Sequence, residues 1–582
     1  MQKNSDSKWE TLVVRKVCVQ DVRFPTAKEQ QGTDAVHINC NYSAGYVSIH
    51  AEDTSGALEN PPVGHGIVFT IGKGNEVCAQ CVDLLAEVIV GHSVHEITTN
   101  FAAFFHKLTN EPQLRWIGPE KGAVHLAVSG IVNALWDLWG KLEGKPLWRL
   151  LLDIDPEQLV EMLPFKYIED ELSREEALAI LKENFEGRAE RVKDIEENGF
   201  PAYTTAVGWS GYSEEKVRAL AKENLAMGFR HFKVKVGLGK ERDYERVKLI
   251  RDCVGEECTL MADANQVWSV AEAIENVNAL SEFRLLWIEE PTAPDDAIGH
   301  KKIAEAIKPV GVATGEHAHN RILHKHFCAL GAYQFCQTDP ARVGGVSEIL
   351  VICLMAKKFG IPVCLHAGGV GLCELGVHIA IFDYIAISAS HEKRFFEYAG
   401  ALHEHFEDPV IIRNGAYVAP TGLGYASDLR PASIAHYSYP HGTYWRKELQ
   451  LAGGDFYRFK GNFVATLTPL TTDGADVDTS QIAPYAALLP GQKISGVFVN
   501  GTSGESVSLN FEERKRIQQA WLETEEVASG KLDAIIHIGG NALSEILALG
   551  QHALYHGAKA LAVYPPTYYR PNSIEELVRV FT

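Results

Sequence analysis

HFKVKV at residues 231–236 is followed by CTLMADAN at 258–265, LLWIEEP at 285–291 and VGVATGEH at 310–317. Each is a short apolar run that closes on Lys, Asp or Glu, and helix-length polar–apolar text separates it from the next. Strand-then-helix repetition predicts a parallel sheet, and enough such units close into a (β/α)₈ barrel. Two further runs, YQFCQTD (333–339) and IPVCLHA (361–367), continue the pattern. Residues 159–400 are therefore expected to form an α/β barrel.

Working outward, residues 1–158 open with the strand-like TLVVRKVCVQDVRF and YVSIHAE. From Val124 the apolar residues Ala127, Val128, Ile131, Leu135, Leu138 and Leu142 recur at helical spacing, predicting an amphipathic helix that ends near Gly144 and Pro146. Strands followed by helices suggest an α+β domain. The charged text at 170–198 reads as helix with a solvated face. Residues 401–446 read as a segment returning to the first domain, and 447–458 as a linker. A second βα series begins at GNFVATLTPL, has four strand-like runs (FVATLTPL, GVFVNG, AIIHIG, ALAVYP) and ends in the helical text IEELVRVFT. Four units cannot close an eight-stranded barrel, so 459–582 is expected to be a half-barrel.

Composition narrows the function classes. Hydrophobic residues at 46% and charged residues at 22% describe a globular chain, and 582 residues predict more than one core. A net charge of -20 argues against a nucleic-acid surface, which needs clustered Lys and Arg. No apolar run approaches the roughly 20 residues of a membrane span. Eleven thinly spread cysteines and a start without a signal or transit pattern lead to the expectation of a reduced, cytoplasmic compartment.

The polar residues that close the apolar runs recur at steps of 23 to 28 residues: Lys235, Asp263, Glu289, Glu316, Asp339 and His366. The C-terminal ends of barrel strands share one mouth, so these residues converge. Asp263, Glu289 and Glu316 offer three hard oxygen ligands, which suit Mg²⁺ better than zinc. Lys233 and Lys235, two apart on one strand, share a face, and mutual repulsion beside a cation favours a neutral amine that can act as a base. Asp339 can set the tautomer of His366 and strengthen it as acid or base. Taken singly, a strand-end Asp is more often a helix N-cap, and a lone His more often a core residue. The pattern outweighs these readings only as a set.

KVK, MADAN, WIEEP and ATGEH, with Asp339 and His366, resemble the mandelate-racemase branch of the enolase superfamily. DVRFPT, RWIGPEKG, AYTT, WIEEPTAPDD, MAKKFGIPVC and HAGGVGLCELGVHIAIFDY are similar, more narrowly, to its L-fuconate dehydratase group and that group's animal, mitochondrial counterparts. The resemblance covers about residues 10–446. It implies an enolase-type capping domain on a modified TIM barrel, a Mg²⁺ cofactor on Asp263, Glu289 and Glu316, Lys235 as general base and His366, backed by Asp339, as general acid. It also implies substrate contacts from Lys233, Asn265 and His366, a hydrogen bond to the enolate or carboxylate oxygen from Glu397, and cap-loop contacts from Gly32, Thr33, Asp34 and Tyr42. Glu290 is not expected to be a ligand. The implied partner is a small acid sugar, with a homo-oligomeric assembly and a mitochondrial location as a second possibility. The implied reaction is dehydration of an aldonate to a 2-keto-3-deoxy acid; epimerisation on the same scaffold is the alternative.

Residues 459–582 resemble N-acetylneuraminate lyase of the dihydrodipicolinate-synthase family through ATLTPLTTDG, VFVNGTSGESVSLNFEERKR and IIHIGG. The resemblance implies a vestigial pyruvate-carboxylate motif at Thr502 and Ser503. Lys559 does not fall at the family's Schiff-base position, so no lyase activity is expected from this stretch, and an assembly role is an alternative.

Overall fold

The computed structural model describes residues 9–449, 459 and 461–564. Contacts divide the chain into two units, Met1–Gln450 and Leu451–Thr582. The first opens with an antiparallel sheet of β1 (Leu12–Arg23), β2 (Ser43–Asp53) and β3 (Gly64–Thr70), ordered β1-β2-β3. Its inner face packs on the helix Gly122–Glu143, whose residues Ala127, Val128, Ile131 and Leu138 are buried. Two glycines permit that close approach. A Cβ on Gly66 would stand 2.1 Å from the Gly130 carbonyl oxygen, and one on Gly130 would stand 2.6 Å from the Val68 side chain.

The barrel strands are β4 (Phe200–Gly208), β5 (His231–Lys235), β6 (Thr259–Asp263), β7 (Trp287–Glu289), β8 (Gly311–Thr314) and β9 (Phe335–Cys336), parallel and in sequence order. The seventh position is a bridge, Cys336 to Val363, and the eighth is β10 (Phe396–Tyr398), which pairs in parallel with β4 and closes the ring. Strands buried on both faces must be apolar throughout. Inside, Tyr203, Met261, Trp287, Ala313, Phe335 and Cys364 fill the barrel as a separate core. A hairpin of β11 (Ile412–Arg413) and β12 (Ala416–Tyr417) adds to β4. The chain then returns to the sheet domain. Ser438 bridges Val22, and Trp445 donates from Nε1 to the Arg23 carbonyl at 2.8 Å. The helix Thr443–Glu448 takes in the first two residues of the expected linker, because Glu448 pairs with Lys28 at 2.6 Å. The remaining linker residues from 450 to 458 lie outside the described residues.

Cap and barrel are joined by a buried charge cluster. Glu348, on the helix Gly345–Lys358, accepts from Arg321 Nη1 at 2.7 Å and the Gly344 N–H at 2.6 Å, and meets His125 Nε2 of the cap helix at 2.7 Å. Arg321 also pairs with Glu120. Every charge in the cluster has a partner, which is the condition for a buried ion to be tolerated.

The second unit is an open parallel sheet of β13 (Asn462–Ala465), β14 (Ile494–Val499), β15 (Asp533–His537) and β16 (Ala560–Ala562). The four expected strands are present in the expected order. Val497, Val499 and Ile536 pack against Ile517, Trp521 and Leu549 of the following helices. Among the described residues β13 and β16 each pair on one side only, so the sheet does not close. The helix expected at IEELVRVFT lies outside the described residues. No helix among those described is long and apolar enough to cross a membrane.

Glu348→Gln should destabilise the first unit by about 3–5 kcal/mol, because it leaves Arg321 buried with less charge to face. Burial works against charge on Glu348, but His125 and Arg321 outweigh it and hold the carboxyl well below the usual range. A depressed folded-state value stabilises fully above the unfolded carboxyl value of about 4.3 and loses that stabilisation as pH falls through the folded one. The Tm gap between wild type and Glu348→Gln should therefore be constant near neutrality and narrow below about pH 4.

Candidate active site

Strand register assembles the site. β5 pairs with β6 so that Lys235 faces Asp263, and β6 with β7 so that Asp263 faces Glu289. Glu316 follows β8. All three carboxylates are buried, and each offers an oxygen within 4.8 Å of the others. At that spacing each like-charged pair costs about 3 kcal/mol at an effective dielectric of 20. Two lysines offset part of it. Lys233 Nζ lies 2.6 Å from Glu289, 2.9 Å from Glu397 and 3.7 Å from Asp263, and Lys235 Nζ lies 2.5 Å from Asp263. With Glu397 and with the Asp339–His366 pair that touches Glu316, five carboxylates against three cations leave two negative charges. Glu316 Oε2 is buried and accepts no hydrogen bond among the described residues. A carboxylate oxygen without a hydrogen bond, 3.4 Å from His366 Nε2, hard oxygen donors and a twofold charge excess fit a divalent cation such as Mg²⁺.

The neighbours set the protonation states. Burial pushes the Glu289 carboxyl up; Lys233 opposes this, and Asp263, Glu397 and Glu316 add to it. Burial also works against charge on the lysines, but Asp263 outweighs it at Lys235, and Glu289 with Glu397 outweighs it at Lys233. Both amines therefore sit above their ordinary range. This departs from the neutral amine expected from two adjacent cations, because the carboxylates outnumber the lysines. Lys233 departs in a second way. Only 1% exposed, it lies beneath the cavity as a brace between Glu289 and Glu397 rather than as a substrate contact.

Across the ring, His366 Nδ1 meets Asp339 Oδ2 at 2.6 Å, and Asp339 Oδ1 accepts from the Ala341 and Arg342 N–H groups at 2.7 and 3.1 Å. Pro340 and Ala341 thus leave the dyad intact. Burial disfavours charge on His366, but Glu316, Asp339 and Glu397 raise it to about 9. Glu397 shows the opposite balance. Burial is outweighed by Lys233, His366 and donors from Ala367 N and the Thr205 hydroxyl, which bring the carboxyl down to about 2. In that state the carboxylate accepts hydrogen bonds.

These groups open into a cavity of about 450 Å³ between cap and barrel, lined by Lys235, Asn265, Glu316, Asp339, His366 and Glu397 and, from the cap, by Gly32, Asp34 and Tyr42. Gly32 is required there: its φ is +71°, and a Cβ would stand 2.1 Å from the Tyr42 hydroxyl. Asp34 accepts from the N–H groups of Val36 and His37. Thr33 does not line the cavity. Its hydroxyl donates to the Gln30 carbonyl at 2.8 Å and accepts from Gly211 N at 2.9 Å, which docks the loop on the barrel. Thr502 and Ser503 lie exposed on the second unit's loop after β14.

Several contributors were not anticipated. Gln337 donates to Glu289 Oε2 at 2.7 Å, and Trp287 Nε1 approaches the same oxygen at 3.3 Å. His317 Nδ1 meets Glu290 Oε1 at 2.8 Å, and Gln266 donates to Glu290 Oε2 at 2.8 Å. Glu290, Glu316 and His317 also converge closely enough for a cation, but Glu290 is already engaged by these partners. Gln337 could have been found from its place two residues before Asp339, and His317 from its place directly after Glu316. The cysteines are not all isolated in sequence, since Cys78 and Cys81 form a C-x-x-C spacing; both are free and buried, and burial pushes both thiols up.

Family models match at residues 43–151 (mandelate racemase / muconate lactonizing enzyme, N-terminal domain), 216–433 (enolase C-terminal domain-like) and 458–582 (dihydrodipicolinate synthetase family). The chain is 48% identical to mitochondrial enolase superfamily member 1 of Homo sapiens over 75% of its own length and 98% of that protein. It is 44% identical to L-galactonate dehydratase of Hypocrea jecorina over 72% and 93%. The crystal structure of the human protein superposes with a TM-score of 0.73 at 47% identity, covering 76% of this chain and 99% of that one. L-talarate/galactarate dehydratase of Salmonella typhimurium, solved with Mg and L-lyxarohydroxamate, shares the fold with a TM-score of 0.58 at 21% identity, covering 75% and 95%.

Calorimetric titration with Mg²⁺ should show binding weakened at least tenfold by Asp263→Asn or Glu316→Gln. Gln337→Leu, which removes a donor to Glu289 and to the Tyr203 hydroxyl, should weaken it by about 10–100-fold. Mg²⁺ at 100 times its Kd should add about 2.7 kcal/mol to stability, read as a Tm rise that EDTA reverses.

Proposed function

The chain belongs to the mandelate-racemase branch of the enolase superfamily, and on that premise we propose that it is a Mg²⁺-dependent acid-sugar dehydratase. In this reading it removes the C2 proton and 3-hydroxyl of an aldonate such as L-fuconate or L-galactonate to give a 2-keto-3-deoxy acid. Asp263, Glu289 and Glu316 would hold Mg²⁺, which supplies positive charge against the second negative charge that develops when the carbon beside a carboxylate loses its proton. Lys235 takes that proton. Asp263 now holds its amine charged, and once Asp263 is engaged as a ligand, the Lys233 charge pushes Lys235 toward the neutral form a base requires. His366, across the cavity, delivers a proton to the departing hydroxyl. Asp339 holds its ring, and Asp339 and Glu397, which are not among the ligands, favour its charged form.

The observation that carries the reading is the Asp339-held His366 in one cavity with Lys235. An acid facing a base suits elimination of water; epimerisation needs a second base able to take a proton from the opposite face. Every residue invoked lies in the first unit.

A panel of aldonates with Mg²⁺, read by semicarbazide-reactive keto acid, tests the proposal. Lys235→Ala should cut keto-acid formation by about 10²–10⁴-fold and abolish exchange of the C2 proton with deuterated solvent. His366→Asn should cut keto acid by a similar factor yet retain C2 exchange. Deuterium at C2 without keto acid in the wild-type protein would point to an epimerase instead. A chain ending at residue 449 should retain the full kcat/KM if the second unit lends the reaction nothing.

A further inference from the structure

We propose that Lys73 collects the anionic substrate at the mouth of the cavity, an inference that rests on the acid-sugar reading for its substrate but not for its charge. The cap segment Ile71-Gly72-Lys73-Gly74 runs along the opening, and Ile71, Lys73 and Gly74 line the cavity. Gly72 and Gly74 have φ of +118° and +104°, backbone states that L side chains rarely adopt, so the two glycines set Lys73 at the tip of a tight bend. Lys73 is exposed, and it makes no hydrogen bond or ion pair among the described residues. Most other cations of the cavity are committed: Lys235 to Asp263, His366 to Asp339, and His317 to Glu290.

From the barrel side, Arg342 lines the same cavity. Its Nε donates to the Glu316 carbonyl at 2.9 Å, while its terminal guanidinium nitrogens make no hydrogen bond or ion pair among the described residues. Two uncommitted cations thus stand on opposite walls of one opening. The remaining outer lining, Phe69, Ile71, Val77 and Leu126, is uncharged, and Glu76, which accepts from the Gly74 N–H beside Lys73 at 3.1 Å, is paired with Arg23. A chain of net charge -20 repels a small anion at long range, and a local cationic rim above low-dielectric walls reverses that field where the ligand enters. The ligand class is a small carboxylate. Lys73 is a capture residue, and it takes no part in the proton transfers.

Rim charges act on association and salt dependence, which separates this role from a structural one. With the aldonate that the wild-type protein turns over, Lys73→Glu should lower kcat/KM by about tenfold at low ionic strength. The loss should appear in kcat/KM rather than kcat, shrink toward zero near 1 M salt, and be absent in Lys73→Arg. A second arm is independent of substrate. A thiol introduced by Val77→Cys, at a position exposed on the same lining, should react with iodoacetate relative to iodoacetamide several-fold less when Lys73→Glu is added. That difference should also vanish in salt. Unchanged labelling ratios would overturn the proposal, as would a kcat/KM loss that salt does not erase. A lowered ratio in a protein that dehydrates no aldonate would sustain the capture role and reject the dehydratase reading instead.

Discussion

The site depends on a charge imbalance. Asp263, Glu289, Glu316 and Glu397 are buried together, and Lys233, Lys235 and the Asp339-bound His366 offset only part of their charge. Burying unpaired carboxylates is among the costliest arrangements a fold can contain. The barrel tolerates this one because strand register leaves no choice about where the carboxylates fall, and because a divalent cation restores neutrality. Burial first and the neighbouring carboxylates second push Glu289 up, and the carboxylates hold both lysines charged. The imbalance also places His366 beside negative charge that favours its protonated form.

The cap makes this mouth into an enclosed cavity. Its loop from Gly32 to Tyr42 docks on the barrel through Thr33, and its long helix is tied to the barrel through His125 and Glu348. The contacts that set the pocket's outer wall are therefore distinct from those that position the reacting groups. In the proposed dehydratase, chemistry belongs to the strand ends and substrate choice to the cap, a division that barrel enzymes share through their variable loops.

Much of this was legible in the chain. The ladder from Lys235 to His366 was readable because βα units have nearly constant length, so chemistry recurring at that period had to converge. The half-barrel was readable for the same reason, since four runs cannot close a ring. What escaped was set by side-chain contacts. Lys233 reads as an inward partner of Lys235, yet only the position of Glu397, on a strand more than 160 residues later, makes it a buried brace. Thr33 sits in a loop whose contacts depend on Gly211 in the other domain. Gln337 has no periodic signature, because a polar residue inside a barrel strand is defined only by what it faces.

The most direct test of the charge account is anomalous diffraction from crystals of the protein in which Mn²⁺ replaces Mg²⁺. The account predicts one peak per chain in this cavity, at coordination distance of about 2.0–2.2 Å from oxygens of Asp263, Glu289 and Glu316, with Lys235 no longer bonded to Asp263. No peak at these carboxylates, or a peak held by Glu290 and His317 instead, would contradict it.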